Sequence, residues 1–277
     1  MPNLNRIRTK FGWVRSVANH IHADWLSRHY LLLNGIVNLA IDPYGLRISY
    51  KVPILLNGRR YAWPFRNMLD YGLAYELWVH PSYAIHHPNP DDVRHILDIG
   101  ANNGMSALYF RSHFQKATIH CVEPNSDCVS QIRNLTHIID NVNVHHKVVA
   151  DCDQGKEFFF DPKSSVSSSL IRRSARQQPQ CIESVSLNTL LDAMDVDYVD
   201  ILKFDIEGSE SLVFSDEADL SRIRTMIGEL HYDLCDAGTI KRKFSDCFEH
   251  VHEVDLAENR TLILATNDLS IRFRATA

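Results

Sequence analysis

Short apolar runs alternate with segments of helical spacing along most of the chain after residue 94. The first predicted strands are 95–99, 118–122 and 143–150, and the helices between them are about 104–114 and 126–139. Strands that alternate with helices predict a parallel sheet with helices on both faces. The pattern therefore predicts an α/β fold.

The alternation continues and completes a sheet of seven core strands. The later core strands are predicted at 199–207, 224–230, 251–255 and 261–265, with a further short strand at 182–186, and the later helices are predicted at 187–194, 209–214 and about 237–249. A short turn at Glu258-Asn259 predicts that the last two strands are antiparallel. After an extra strand at 156–160, residues 161–181 are rich in Ser, Arg and Gln and predict either a mobile binding loop or a disordered surface segment.

Residues 1–93 have a different pattern and are predicted to form an extension that packs on a core domain of residues 94–277. The extension is expected to contain one or two helices before residue 40, a hairpin turning at Asn57-Gly58, and a helix at 69–79. The apolar stretch from Leu31 to Ile41 is too short to span a membrane. Because no secretory signal is visible, a cytoplasmic location is expected.

Composition excludes few functions and favours none. The net charge of −5 gives no general attraction to nucleic acid. Six scattered cysteines without a C-x-x-C pair indicate reduced thiols, and the fifteen histidines form no complete zinc-ligand set. No metal site follows from residue spacing, and a homodimer is one of the assemblies that the sequence allows.

The first chemical signal is a strand that breaks into a glycine turn before a helix, in the sequence Asp98-Ile-Gly-Ala-Asn-Asn-Gly104. This turn is not the G-x-G-x-x-G dinucleotide fingerprint, because Asn102 and Met105 stand where glycines would be. A nucleotide-dependent oxidoreductase, the first alternative, is therefore disfavoured. The second signal is Glu123, which ends the next strand where an acidic residue can bind both ribose hydroxyls. Together the turn and Val122-Glu-Pro-Asn125 resemble the S-adenosylmethionine site of class I methyltransferases.

A third block, Leu202-Lys-Phe-Asp-Ile-Glu-Gly-Ser-Glu210, makes the resemblance more specific. It is similar to the K-I-D-V-E-G-x-E block of the FkbM family of S-adenosylmethionine-dependent methyltransferases, and the similarity covers about residues 46–265. The resemblance implies a Rossmann-like, seven-stranded, mostly parallel sheet with an antiparallel last strand. It also implies methylation of a hydroxyl group on a sugar or secondary metabolite, so the expected partner is a small-molecule or glycan acceptor.

Two further alternatives are weakened by particular residues. A non-catalytic scaffold with this fold has no physical need for the charges of Asp98, Glu123 and Asp205. A nucleic-acid methyltransferase would carry an N-P-P-[YF] type block after the fourth strand, where this chain has Asp205-Ile-Glu-Gly208.

Candidate cofactor residues lie at the carboxyl ends of the predicted strands, where ligands bind in open α/β sheets. Gly100, Ala101, Asn102 and Gly104 are assigned to the methionine half of S-adenosylmethionine, with Asp98 near its amino group. Glu123 is assigned to the ribose, and Ala150 and Asp151 to the edge of the adenine.

Candidate catalytic residues follow from the chemistry of the acceptor. A hydroxyl group needs a general base or a metal ion to attack a methyl sulfonium at neutral pH. Asp205 is the first choice of base, and Glu207 shares its strand face if the strand continues that far. His231 is a second candidate base with a suitable pKa. Carboxylates at 205, 207 and 229 could instead hold Mg²⁺, and Glu210 is expected to interact with a helix dipole.

Overall fold

In the computed structural model the chain forms two compact units, Met1–Ala84 and Ile85–Ala275. The structure describes residues 4–44, 46, 48–80, 83–161, 165, 168–268 and 270–273. The boundary falls at 84/85 rather than 93/94, because the strand Ile85–His86 pairs with Arg272–Phe273 and so belongs to the second unit. The packing of the extension on the core domain stays a prediction.

The first unit contains two helices, a hairpin and a third helix. Its elements are α1 (Leu4–His20), α2 (Trp25–Ile41), a 3₁₀ turn (Asp42–Tyr44), β1 (Tyr50–Leu56), β2 (Arg59–Phe65), α3 (Met68–Ala74) and a π-helical turn (Tyr75–Val79). Asn57 and Gly58 join β1 to β2 with φ values of 47° and 78°. Positive φ at both positions is what a tight two-residue hairpin turn requires. The predicted hairpin is therefore confirmed.

The second unit is built around a seven-stranded sheet. Its elements are β3 (Ile85–His86), a 3₁₀ turn (Pro90–Asp92), β4 (His95–Ile99), α4 (Met105–His113), β5 (Thr118–Val122), α5 (Ser126–Leu135), β6 (Val142–His145), β7 (Val148–Ala150), β8 (Lys156–Phe160), β9 (Gln178–Ile182), β10 (Ser184–Ser186), α6 (Leu187–Ala193), β11 (Val199–Phe204), α7 (Glu210–Val213), β12 (Ile223–His231), α8 (Ala237–Cys247), β13 (His250–Ala257), β14 (Arg260–Thr266) and β15 (Arg272–Phe273). The strand order in the large sheet is β13-β14-β12-β11-β4-β5-β6. Only β14 runs antiparallel to its neighbours, so the predicted fold class is confirmed.

The chain reverses its direction of travel across this sheet between β4 and β11. Strands β5 and β6 follow β4 on one side, whereas β11 and β12 lie on the other. In such sheets the ligand crevice lies at the carboxyl ends of the strands beside this reversal. The register pairs Phe204 with Ile99, so Gly100 and Asp205 leave the sheet side by side.

Three strand predictions were wrong in detail. The run 143–150 is divided, because β7 leaves the large sheet after β6 and pairs with β10 instead. The segment 161–181, predicted to be irregular, contains the start of β9, which forms a hairpin with β8. The strand predicted to reach Glu207 ends at Phe204, because the chain turns through left-handed backbone at Glu207 and Gly208, with φ values of 55° and 99°.

The core of the second unit is apolar on both faces of the central strands. Every residue of β11 is buried, which is typical of a parallel strand covered on both sides. Phe204 packs on Phe214 with ring centroids 4.8 Å apart, and Phe214 packs on Phe244 at 5.2 Å. Among the helices that the structure describes, none combines the length and the hydropathy needed to cross a bilayer.

Candidate active site

The glycine turn after β4 lies directly against the residue that follows β11. Gly100 has a φ of 80°, and a Cβ atom placed on it would lie 2.1 Å from the carbonyl oxygen of Asp205. The Asp205 N–H donates to the carbonyl oxygen of Ile99 at 3.1 Å. Only glycine combines this backbone conformation with so close an approach. The turn therefore holds Asp205, the first predicted base, beside the predicted cofactor residues.

Glu123 is bound to the same turn. Its carboxylate accepts hydrogen bonds from the backbone N–H of Asn102 and from that of Asn125, both at 2.8 Å. Burial raises the pKa of Glu123 to about 7, although these two hydrogen bonds act in the opposite direction. Acidic residues from separate parts of the chain, Glu123 and Asp205, are thus brought to one short loop.

Asp98 is fully buried beneath this loop and is paired with a lysine. Lys203 Nζ lies 3.1 Å from Asp98 Oδ1 and donates to the carbonyl oxygen of Gly100 at 3.0 Å. Ser106 Oγ donates to the other oxygen of Asp98 at 2.5 Å. In this arrangement Asp98 braces the loop from inside the fold, and its contact with a ligand amine stays a prediction. The signal for Lys203 was available in the sequence, since a charged residue within an apolar strand needs a buried partner.

The remaining predicted cofactor residues lie at two places. Gly104 precedes α4 with a φ of 83°, and a Cβ atom on it would come within 2.6 Å of Leu135 Cδ1. Ala101 is buried in the same turn. Ala150 and Asp151, at the end of β7, line a cavity of about 240 Å³, and Asp151 also forms an ion pair with Lys156 at 2.8 Å. Their contact with adenine stays a prediction.

Asp205, Glu207 and His231 converge at the ends of β11 and β12. Each contributes one atom able to bind a metal ion, and these atoms all lie within 4.8 Å of one another. Glu207 reaches the group through its left-handed turn and not through strand alternation, so the period-of-two reason for its position was wrong. Glu229, the third carboxylate considered for Mg²⁺, is not in this group and is ion-paired with Arg260 at 3.2 Å.

His231 is oriented by a buried glutamate. Its Nδ1 lies 2.7 Å from Glu210 Oε1, and Glu210 has no exposed surface. Burial alone would lower the pKa of His231, but the Glu210 hydrogen bond and the nearby charges of Glu210, Asp205 and Glu207 raise it to about 9. His231 therefore carries a proton at neutral pH. Glu210, expected only to interact with a helix dipole, has a specific partner that sequence spacing did not reveal.

Two atoms of this group are left with unused hydrogen-bonding capacity. Within the part of the chain that the structure describes, no group hydrogen-bonds to His231 Nε2 or to Asp205 Oδ1, although both atoms are buried. Buried polar atoms are nearly always hydrogen-bonded in folded proteins. Two such atoms on residues of one close group indicate a place where a polar ligand group binds.

The segment after β8 contacts both halves of the site. Ser165 Oγ donates to Asn102 Oδ1 at 3.0 Å, and the Leu170 N–H donates to Ser209 Oγ at 3.3 Å. Arg173 forms an ion pair with Glu207 at 2.8 Å. Burial and the charge of Asp205 raise the pKa of Glu207 to about 7, whereas Arg173 acts to lower it. The segment predicted as a binding loop or a disordered stretch thus has specific contacts where the structure describes it.

A family model described as the methyltransferase FkbM domain matches residues 98–258, which is more than half of the chain. Solved structures with a similar fold include the precorrin-6y C5,15-methyltransferase of Geobacter metallireducens GS-15, with 13% identity over 65% of this chain and 84% of that chain and a TM-score of 0.39. Another is M. capricolum TrmK in complex with S-adenosyl-homocysteine, with 8% identity over 64% of each chain and a TM-score of 0.39. A third is the T. thermophilus 16S rRNA N2 G1207 methyltransferase, with 13% identity over 80% of this chain and 51% of that chain and a TM-score of 0.39. No curated protein matches the chain. All the predicted site residues, from Asp98 to His231, lie within the family match.

Proposed function

The chain belongs to the FkbM family of methyltransferases, and we propose that it transfers a methyl group from S-adenosylmethionine to a hydroxyl group of a sugar or secondary metabolite. The observation that carries this proposal is Asp205 Oδ1, which has no hydrogen-bond partner among the described residues. It belongs to a residue whose backbone contacts the glycine turn and whose carboxylate lies close to His231. A carboxylate in that position can accept the proton of an attacking hydroxyl. Membership of this family also sets aside the oxidoreductase alternative.

S-adenosylmethionine supplies an electrophilic methyl group on a sulfonium sulfur. The turn from Gly100 to Gly104 would hold its methionine half, and Glu123 would accept hydrogen bonds from the ribose hydroxyls. The Glu123 oxygens each accept one backbone N–H. Since a carboxylate oxygen can accept two hydrogen bonds, both can also take a ribose hydroxyl. The residues present therefore fit the cofactor.

The affinity for S-adenosylmethionine will rise as the pH increases through about 7, the pKa of Glu123, because the ionised carboxylate is the form that accepts two hydroxyls. Glu123→Gln should weaken binding by about 10- to 100-fold, as expected for hydrogen bonds to a charged group. Calorimetric titration on either side of that pH measures both effects. The stability of the free protein should change in the opposite direction, because folding raises the pKa of Glu123 from 4.5 to about 7 and so favours its protonated form. This contribution to the free energy of unfolding is fully present below pH 4.5 and is lost as the pH rises through about 7.

The control for this experiment is Glu183→Gln, an exposed glutamate paired with Lys147. This variant should retain both the affinity and its pH dependence. An unchanged pH dependence in Glu123→Gln would show that another group controls cofactor binding.

In the proposed reaction Asp205 acts as the general base and His231 as a proton-bearing neighbour. The acceptor hydroxyl hydrogen-bonds to Asp205 Oδ1, and its proton passes to that oxygen as the methyl group is transferred. His231 was predicted as an alternative base, but a pKa of about 9 leaves it protonated at neutral pH. As a cation it instead donates a hydrogen bond from Nε2 to a polar group of the bound ligand, and the hydrogen bond with Glu210 keeps the ring in place. Glu207, ion-paired with Arg173, is assigned to the wall of the acceptor site.

We expect catalysis to survive complete removal of divalent metal ions. Arg173 and His231 already place two positive charges beside Glu207 and Asp205, which lowers the need for a cation there. Methyl transfer assayed after treatment with EDTA, with and without added Mg²⁺, tests this expectation. Loss of activity that Mg²⁺ restores would assign Asp205, Glu207 and His231 to a metal site and would make Mg²⁺ the group that activates the hydroxyl.

The acceptor can be identified with S-adenosylmethionine that carries a deuterated methyl group. The protein is incubated with metabolite and glycan extracts, and labelled products are found by mass spectrometry. The proposal expects the label on an ether oxygen, and expects labelling about 10²- to 10⁴-fold slower with Asp205→Asn protein. A methyl group on nitrogen, or transfer to RNA in preference to small molecules, would overturn the assignment of the acceptor.

A further inference from the structure

Helix α2 of the first unit presents a large apolar face to solvent. The exposed large side chains on this helix are Trp25 (72%), Leu26 (56%), Tyr30 (54%), Leu33 (59%) and Ile36 (47%). At about 100° per residue, they lie within an arc of about 140° on the helix surface. These five residues are called the outer face of α2.

The opposite side of α2, which is buried, is mostly small or polar. Its buried residues are Ser27, Leu31, Asn34, Gly35 and Asn38. A helix on the surface of a globular protein normally has the reverse arrangement, with its apolar side against the core. The burial of apolar surface inside this unit therefore gives no reason for the composition of the outer face.

Close contacts keep α2 in this orientation. Asn34 Oδ1 accepts a hydrogen bond from Asn38 Nδ2 at 2.9 Å and lies 3.0 Å from the hydroxyl of the buried Tyr71. At Gly35 the helix is so near α1 that an added Cβ atom would lie 2.3 Å from Val14 Cγ1. Rotating α2 to bury its outer face would break these contacts, and large side chains would have to fit where Gly35 now packs against Val14. The outer face is thus held on the outside.

The unit that carries this face is cationic, although the chain as a whole is anionic. Residues 1–84 contain ten Lys and Arg against four Asp and Glu, a net charge of +6, which leaves −11 for residues 85–277. Neither α1 nor α2 contains an acidic residue. Arg6, Arg8 and Arg15 of α1 are all exposed.

We propose that the outer face of α2 docks on an anionic lipid surface. Tryptophan and tyrosine favour the boundary between lipid headgroups and acyl chains, and Leu26, Leu33 and Ile36 supply the apolar surface that enters it. The basic residues of this unit are attracted to anionic headgroups. The helix lies along the surface in this proposal, which agrees with the absence of a membrane-spanning helix among the described residues.

Two other occupants agree less well with the same observations. A second copy docked through the same face would bring two units of charge +6 together, which is unfavourable. A second copy docked through its second unit would not match the outer face either. The described part of that unit has only Tyr232 and Leu256 as exposed large hydrophobic side chains, so it supplies no apolar surface for the outer face to pack on. RNA would match the charge, but its phosphates would leave the aliphatic side chains of the outer face without a partner.

Sedimentation of the full-length protein with lipid vesicles tests the proposal. We expect binding to phosphatidylcholine vesicles that contain phosphatidylglycerol, and binding weaker by about tenfold or more to phosphatidylcholine alone or in high salt. Leu33→Asp should reduce binding to the anionic vesicles by about tenfold or more, because it places a negative charge in the centre of the outer face. The matched control is Leu256→Asp, the same change at an exposed leucine of β13, which should bind as wild type does.

Three results would overturn the proposal. The first is failure of the wild-type protein to sediment with anionic vesicles, and the second is equal loss of binding in both variants. The third is a protein that does not bind vesicles but binds another partner through this face. That partner would be a second copy, seen in light scattering as a dimer that Leu33→Asp dissociates, or RNA, whose binding Leu33→Asp abolishes. Circular dichroism and S-adenosylmethionine titration of each variant verify that the protein remains folded.

Discussion

The Asp205→Asn enzyme will turn over about 10²- to 10⁴-fold more slowly than the wild type, which is the usual contribution of a general base. Its affinity for S-adenosylmethionine should remain unchanged. Asparagine keeps the size of the side chain and leaves the backbone contact with Gly100 in place, but its amide cannot accept the proton of the hydroxyl. Steady-state kinetics with the identified acceptor and calorimetric titration of the cofactor measure the two quantities separately.

The matched control is Asp197→Asn, the same change at an exposed aspartate two residues before β11. Its kinetic constants should equal those of the wild type. If Asp205→Asn retains wild-type turnover, Asp205 is not the base, and Glu207 becomes the candidate to replace next. If Asp205→Asn loses cofactor binding instead, the carboxylate belongs to the cofactor site and not to the acceptor site.

Gly100→Ala will destabilise the second unit by roughly 2–5 kcal/mol and will abolish cofactor binding. Left-handed backbone costs a residue with a side chain about 1–2 kcal/mol, and overpacking costs about 1–3 kcal/mol more. The added methyl group would lie 2.1 Å from the Asp205 carbonyl oxygen, so the turn and the end of β11 have to separate. Urea unfolding followed by circular dichroism measures the loss of stability.

Gly238→Ala is the control for this prediction. Gly238 lies in the first turn of α8 in the same unit, without left-handed backbone, and its nearest contact for an added Cβ atom is an ordinary 3.5 Å. Replacing glycine by alanine in a helix should stabilise the protein by about 0.5–1 kcal/mol. If both substitutions change the stability equally, the close approach at Gly100 does not determine the shape of the turn.

The parts of the fold that could be predicted from sequence are those set by local patterns. Strands β4 and β5 have the predicted bounds, 95–99 and 118–122, because each is a buried apolar run that ends at a turn. Asn57-Gly58 sets the hairpin for a similarly local reason. The end of β11 was misjudged because the apolar alternation continues through Ile206, whereas the backbone turns where Gly208 allows it.

The candidate site was only partly predictable, because spacing along the chain does not reveal partners that meet through folding. Glu123 and Asp205 meet at one turn because each follows a parallel strand, and parallel strands have their carboxyl ends at the same edge of the sheet. The pairing of His231 with Glu210, and of Arg173 with Glu207, joins residues from different elements. His231 was a candidate base on the ordinary pKa of a histidine, and its partners in the folded chain raise that pKa to about 9.

The buried pair of Asp98 and Lys203 has a consequence for how this enzyme can be altered. The two residues belong to adjacent strands, β4 and β11, and each neutralises the other's charge where water cannot reach. Removing either residue alone leaves the charge of the other buried without a partner and destabilises the protein by roughly 3–5 kcal/mol. Exchanging both for apolar residues of similar volume often leaves the stability unchanged. Mutational paths through these two positions are therefore strongly epistatic. Libraries that vary one strand at a time will miss viable combinations that only simultaneous replacement can reach.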